Sequence, residues 1–503
     1  MSGRVRRVAR RPGTALLAAV LVLAALGVAA DLTAGPDVAA TGSAAVPRTL
    51  PAAPVAQSDA ACPDPAADAT TATRVSVAAG GSVGNGPAAP GRGGRANLAT
   101  LSGDDLPLDI TAPGSGSAAA EADQGPLVAR AGGAAAPGMA AGMLTRSTTD
   151  AMRGLAGTRC AVPGTDFWFV GSGAVVGQRG RVYLTNPEAA PAVVDLTLYG
   201  PDGPIDAPAG RGIPIAAGAQ EVRLLDALAP GVSRFAVHVH ALSGRVAAAV
   251  RDQQLDGLTP RGADWLPAAA PPARRQVVPG GVAGAGERLL QVVAPGDADA
   301  IVKLKLVTES GSFAPAGVDV LEVPAGSVAE VDLAGVTEAA AVAVSLEADV
   351  PVTAGVLVRA TGSTGQLTDV AYTAAGRPLR PATPGTVPEA RQGTGVTSSL
   401  LLAAPAGDAT VQLAALPPAT GAPTQVRVPG GSQVVVDLAT VSTAPSFALT
   451  VTPLRGSGPV LAARAVAEAE ARGPWLTLEL VDPGRYTVRV PRVVADLSAG
   501  LRG

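Results

Sequence analysis

The chain is 503 residues long, 47% hydrophobic but only 2% aromatic, with 62 glycines, 45 prolines and a formal net charge of −3. That length exceeds one ordinary domain and suggests about three. Its charges are dispersed, and Lys303 and Lys305 are the only lysines; with no basic stripe to track phosphates, no nucleic-acid partner is expected.

Five arginines (Arg4, Arg6, Arg7, Arg10, Arg11) precede an uncharged apolar run from Gly13 to Ala30. This pattern predicts a signal peptide or an N-terminal transmembrane anchor over residues 1–30. The positive-inside rule keeps the arginines in the cytoplasm and sends the chain after Asp31 outward. The membrane is thus an expected partner through the N-terminal helix, and the protein is extracytoplasmic, anchored or secreted. Val28-Ala29-Ala30 suits signal peptidase, so both outcomes stay open. Residues 31–60, rich in Ala and Pro, predict a flexible linker.

Residues 61–165 form a region bracketed by Cys62 and Cys160. It has strand-like alternation at 73–78 and 106–110, a Gly-rich loop at 80–94, and a segment suited to a short helix within 143–155. In an oxidising compartment two cysteines favour a disulfide, here closing a loop worth roughly 4–5 kcal/mol in the chain-entropy model. A metal pair or a catalytic thiol are the alternatives, but neither cysteine sits in a CxxC or beside a histidine.

After Cys160 one pattern occurs three times. Apolar strands open each copy at 182–187, 290–295 and 401–405, and alternating strands follow at 193–198, 301–306 and 410–416. A turn around Gly218, Gly326 or Gly431 comes next, leading in the last two copies into Val-Asp-Leu segments that hold Asp332 and Asp437. Long β pairs at 235–250, 342–358 and 447–466 close the copies, with 475–480 and 486–490 as final strands. The three glycines lie about 105 residues apart, the size of an immunoglobulin-like sandwich whose strands are apolar on one face and polar on the other. The expected fold is all-β: tandem immunoglobulin-like β-sandwich modules at 166–270, 271–380 and 381–503. They follow the N-terminal signal or transmembrane helix, the linker and a cysteine-bracketed β region that packs with the first module.

The chain resembles the DUF5719 family of actinobacterial exported proteins. The resemblance rests on Ala61-Cys62-Pro63 with the strand Thr73-Arg74-Val75. It extends through Arg159-Cys160 and Pro163-Gly164-Thr165-Asp166 into Phe167-Trp168-Phe169-Val170-Gly171 and the repeated strand-turn units. It implies export and a β-rich architecture, and brings no catalytic residues.

The residues that carry chemistry are sparse. His238 and His240, the only histidines, fall on one face of a strand. With a carboxylate brought from elsewhere they would suit zinc, but the plainer reading is a polar face opposite Phe235, Val237 and Val239, so no metal site is expected. Gly80-Gly81-Ser82-Val83-Gly84 matches a nucleophile elbow formally, yet Asn85-Gly86-Pro87 cannot open the helix that motif needs. Asp104-Asp105 lacks calcium-loop spacing, and Asp332 and Asp437, at equivalent repeat positions, suggest a structural role. Trp168 and Trp265 are the candidate surface-binding aromatics; burial in cores or interfaces is the ordinary alternative, and the one expected for Trp475 as well. No catalytic residue and no cofactor are expected. The sequence reads as a non-catalytic cell-envelope protein with a structural or interaction role and an envelope protein or glycan as partner. A glycan- or polymer-binding accessory and an unrecognised hydrolase are the alternatives.

Overall fold

Short apolar runs with period-two burial make strands throughout the chain. A computed structural model describes residues 52–489, except 66–70, 81–92, 122–123, 149–151, 338–339, 363–366 and 472. The expected N-terminal helix and most of the linker therefore lie outside the described residues, and so does Ser82. Among the described residues no helix is long and apolar enough to cross a membrane.

After β1 (Ala52–Pro54) come β2 (Gln57–Cys62), β3 (Thr71–Ala79), β4 (Arg95–Thr100), β5 (Asp105–Thr111), β6 (Gly114–Ala120), β7 (Leu127–Gly132), β8 (Ala140–Ser147) and β9 (Gly154–Arg159). They pair as two sheets, β2-β7-β4-β5 and β6-β3-β8-β9. A second set comprises β10 (Asp166–Ser172), β11 (Gln178–Asn186), β12 (Ala192–Gly200), β13 (Gly203–Ile205), β14 (Ile213–Ile215), β15 (Ala219–Leu224), β16 (Phe235–Ser243), β17 (Ala247–Asp256) and β18 (Thr259–Leu266). Its sheets are β10-β16-β12-β13, with β14 also on β12, and β15-β11-β17-β18.

The third set is β19 (Ala273–Gly281), β20 (Gly286–Ala294), β21 (Ala300–Thr308), β22 (Gly311–Phe313), β23 (Val320–Val323), β24 (Ser327–Asp332), β25 (Val342–Thr361) and β26 (Leu367–Ala374). The fourth is β27 (Gly385–Arg391), β28 (Val396–Ala404), β29 (Ala409–Ala415), β30 (Thr424–Val428), β31 (Ser432–Asp437), β32 (Ser446–Pro453), β33 (Leu461–Glu468) and β34 (Trp475–Leu480), followed by the short β35 (Thr487–Arg489). The fourth set forms β27-β32-β29-β30 and β31-β28-β33-β34. In the third, β25 replaces two strands by one of 20 residues. Its first half pairs with β19 and β21, its second with β20 and β26, so the two sheets are joined.

With β13 and β14, and likewise β22 and β23, counted as one broken fourth strand, and the two halves of β25 as the sixth and seventh, the pairing is the same in all four sets. One sheet runs first-sixth-third-fourth and the other fifth-second-seventh-eighth. Residues 61–165, set apart from the repeats in the sequence, thus carry a fourth instance of the same topology. Among the described residues of 143–155 there is no helix, because they supply the end of β8 and the start of β9. Each set closes over one apolar core drawn from both of its sheets, as with Val75 and Val77 against Leu98 and Leu127 in the first and Leu400 and Leu402 against Val411 and Leu449 in the fourth.

The repeated glycines sit where the backbone needs them. Gly218, Gly326 and Gly431 have φ of 63°, 67° and 78°. In the turns before β24 and β31 the amides of Ser327 and Ser432 donate to the carbonyls of Pro324 and Pro429, each at 3.1 Å, leaving the glycine at the turn position that demands positive φ. Asp332 and Asp437 then accept the N–H two residues on, from Ala334 and Ala439, each at 2.9 Å. In the second set Leu224 stands at that place, and no side chain caps the turn.

The expected polar outer face fails for the seventh and eighth strands. β8, β9, β17, β33 and β34 are buried on both faces along most of their length. The reason is a hub. Within the body Ala53–Val488, β9 packs on β18, β18 on β26, β26 on β34, and β34 back on β9. Asp369 of β26 accepts the amides of Leu155 (3.2 Å) and Leu476 (3.0 Å). Asp264 of β18 accepts the amide of Gly157 (2.9 Å) and the hydroxyl of Thr477 (3.0 Å). Gly157 allows this approach, since a Cβ there would lie 2.5 Å from Glu479 Oε1. Burial pushes the Asp369 carboxyl up to about 8 against its three backbone donors, and raises Asp264 as well.

Candidate functional site

Strand alternation decides which side chains meet on the outer face of the β10-β16-β12 sheet. Phe235, Val237 and Val239 point into the core, so His238 and His240 point out, as the plainer sequence reading has it. In register, Asp166 of β10 lies opposite His240, and Trp168 opposite His238. Asp166 Oδ2 sits 3.1 Å from His238 Nε2 and 3.2 Å from His240 Nδ1. Burial opposes ionisation of Asp166, but hydrogen bonds and charge from His238 and then His240 outweigh it and hold the carboxyl below its usual range. The Trp168 ring stacks on His238 at 4.0 Å between centroids, inclined by 9°, and on Tyr199 at 5.7 Å. Asp195, across from His240 on β12, turns its carboxylate to the amide of Gly212 at 2.6 Å.

The two candidate surface aromatics are not surface residues. Trp168 is 5% exposed and Trp265 1%. Trp168 lies on an outward strand face, but that face is covered: Ala269, Ala374 and Leu480 pack against it. Trp265 belongs to the core shared with the first set, beside Tyr183 at 5.2 Å, with the Arg251 guanidinium 5.3 Å from its ring. Trp475 is buried too, beneath Arg146 and Arg153. Area burial at contacts between sets, invisible in any one strand, overrides the surface reading.

Cys62 and Cys160 are joined, 98 positions apart in sequence with Cα atoms 4.2 Å apart. The bond ties the end of β2 to the residue after β9, fastening the first strand of that set to its last. Beside it opens a cavity of about 210 Å³ whose walls include Cys160, Asp166, Phe169, Arg377 and Arg485. Desolvation, then the like charges of Arg377 and Arg245, lowers the Arg485 pKa. Asp104 and Asp105 serve their own hairpin: Asp104 accepts the hydroxyl of Ser102, and Asp105 the side-chain amide of Asn97.

Among the described residues one group has metal-ligand chemistry: Asp166, His238 and His240, whose donor atoms all lie within 4.8 Å of one another. The histidines are legible in the sequence but their carboxylate is not, because Asp166 lies 72 positions before His238.

Fold and site together define an all-β protein of repeated sheet pairs, the first of them tied by a disulfide. The chain belongs to the DUF5719 family, a family of unknown function whose profile matches residues 112–439. No curated protein matches it.

Proposed function

We propose that the chain is an exported, non-catalytic protein of the cell envelope whose immunoglobulin-like β-sandwich modules present an interaction surface outside the membrane. In this reading residues 1–30 carry the export signal or anchor. The observation that carries it is the Cys62–Cys160 bond, since disulfides persist in oxidising compartments and are rare in the cytosol. A hub of buried edge strands suits a rigid spacer or platform, an argument from architecture rather than from chemistry. The experiment is protease protection on intact cells making a C-terminally tagged chain, followed by pull-down from envelope fractions. Digestion of the tag from outside, with an envelope protein recovered, is expected; a protected tag with reduced cysteines would overturn the reading.

A second reading is the binding of an anionic envelope polymer. Its support is the cavity bearing Arg377 and Arg485, whose like charges an anionic group would relieve. Buried Trp168 and Trp265 give it no aromatic platform.

A further inference from the structure

We infer that Asp166, His238 and His240 form a binding site for a divalent transition metal, with zinc the best match. Three observations converge. First, the chain has only two histidines, and both direct a ring nitrogen at the same carboxylate oxygen. Nothing about a polar strand face requires that convergence.

Second, the spacing is that of ligands. Around zinc, with bonds of about 2.0–2.1 Å, tetrahedral donors stand roughly 3.3–3.4 Å apart. The two oxygen-to-nitrogen distances are 3.1 and 3.2 Å, and all three donors fall within 4.8 Å of one another. A cation entering the triangle keeps the two oxygen-to-nitrogen edges close to their present lengths and draws the two imidazole nitrogens together from within 4.8 Å.

Third, the site is held yet open. Trp168 stacks flat on His238 and restrains its ring. His240 and Asp166 remain about half exposed, at 48% and 44% for their side chains. Asp166 also borders the cavity of about 210 Å³. Two imidazoles and a carboxylate leave a tetrahedral ion one position for water or an oxygen ligand, and the borderline-soft donor set favours zinc over calcium or magnesium.

The test uses the purified full-length chain, stripped with chelator and titrated with Zn²⁺ against a chromophoric chelator of micromolar affinity, with Co²⁺ as an absorbing probe. One zinc per chain is expected, with Co²⁺ bands of tetrahedral intensity. His240→Gln and, separately, Asp166→Asn weaken zinc at least about tenfold and abolish the Co²⁺ bands. Both side chains are half exposed, so the thermal midpoints of the metal-free variants should match that of the parent. Equal zinc uptake by parent and both variants, or none by the parent, would overturn the inference.

Discussion

Replacing Asp369 by Asn tests the hub directly, because it removes one titrating group while keeping the shape and an acceptor oxygen for the amides of Leu155 and Leu476. In the folded chain burial raises this carboxyl to about 8, from a reference value of 3.8. A raised carboxyl contributes stability that is fully present below the unfolded pKa and is lost as pH climbs through the folded one. From pH 6 to pH 8 the folded protein therefore holds a proton that the unfolded chain has already released. Integrating the linkage over that window, with the site half-titrated at its upper end, gives a loss of about 2 kcal/mol. The charged neighbours that face the group are Asp264, itself raised, and Arg153. Arg153 and both histidines remain in the variant and cancel in the comparison; Asp264 remains too, relieved of the part of its rise that the Asp369 charge supplies. The assay is urea unfolding at pH 6 and pH 8, followed by circular dichroism with the disulfide intact. The parent should lose about 2 kcal/mol more than Asp369→Asn across the window. Identical losses would refute the claim that burial governs this carboxylate.

Three further outcomes follow from the same structure. Cys62→Ser with Cys160→Ser should cost about 4–5 kcal/mol; reductant should lower the thermal midpoint of the parent and leave that of the double variant alone. Gly157→Ala places a Cβ 2.5 Å from Glu479 Oε1 and 2.9 Å from Thr477 Oγ1, so overpacking of about 1–3 kcal/mol should appear as a lower denaturation midpoint. Trp265→Ala should destabilise by about 3–5 kcal/mol without changing retention on immobilised envelope polymer; lost retention at unchanged stability would instead restore a surface role.

Most strands could be read from the sequence because their burial alternates, as along β12 and β21. The turn glycines were legible for a local reason too, since positive φ narrows the choice to Gly. The first set escaped comparison with the others because Ala112-Pro113 precedes β6 where the later copies have their positive-φ glycine turn. Segment 143–155 looked helical because β8 is buried on both faces and lacks the period of two. The candidate site was half legible. His-x-His is local, whereas Asp166 arrives through a register that only the folded sheet defines, and Trp168 is hidden by residues of the third and fourth sets.

The odd composition and the buried carboxylates have one physical source. The eighth strand of each set lies at the edge of its sheet, and an edge presents unpaired N–H groups. At the hub four such edges converge away from water, where each unpaired donor costs about 1–3 kcal/mol. Asp264 and Asp369 accept donors from neighbouring edges and so do the work of a missing strand. Strands packed on both faces at such close range admit mostly small side chains, which accounts for the Gly and Ala of β9, the Ala of β17 and β33, and the lack of aromatics in all three. With the inner sheets consumed this way, the surface left for partners is the outward faces of the other sheets. Lys303 and Lys305 stand exposed on β21 there, and Asp166, His238 and His240 occupy the corresponding face of the second set.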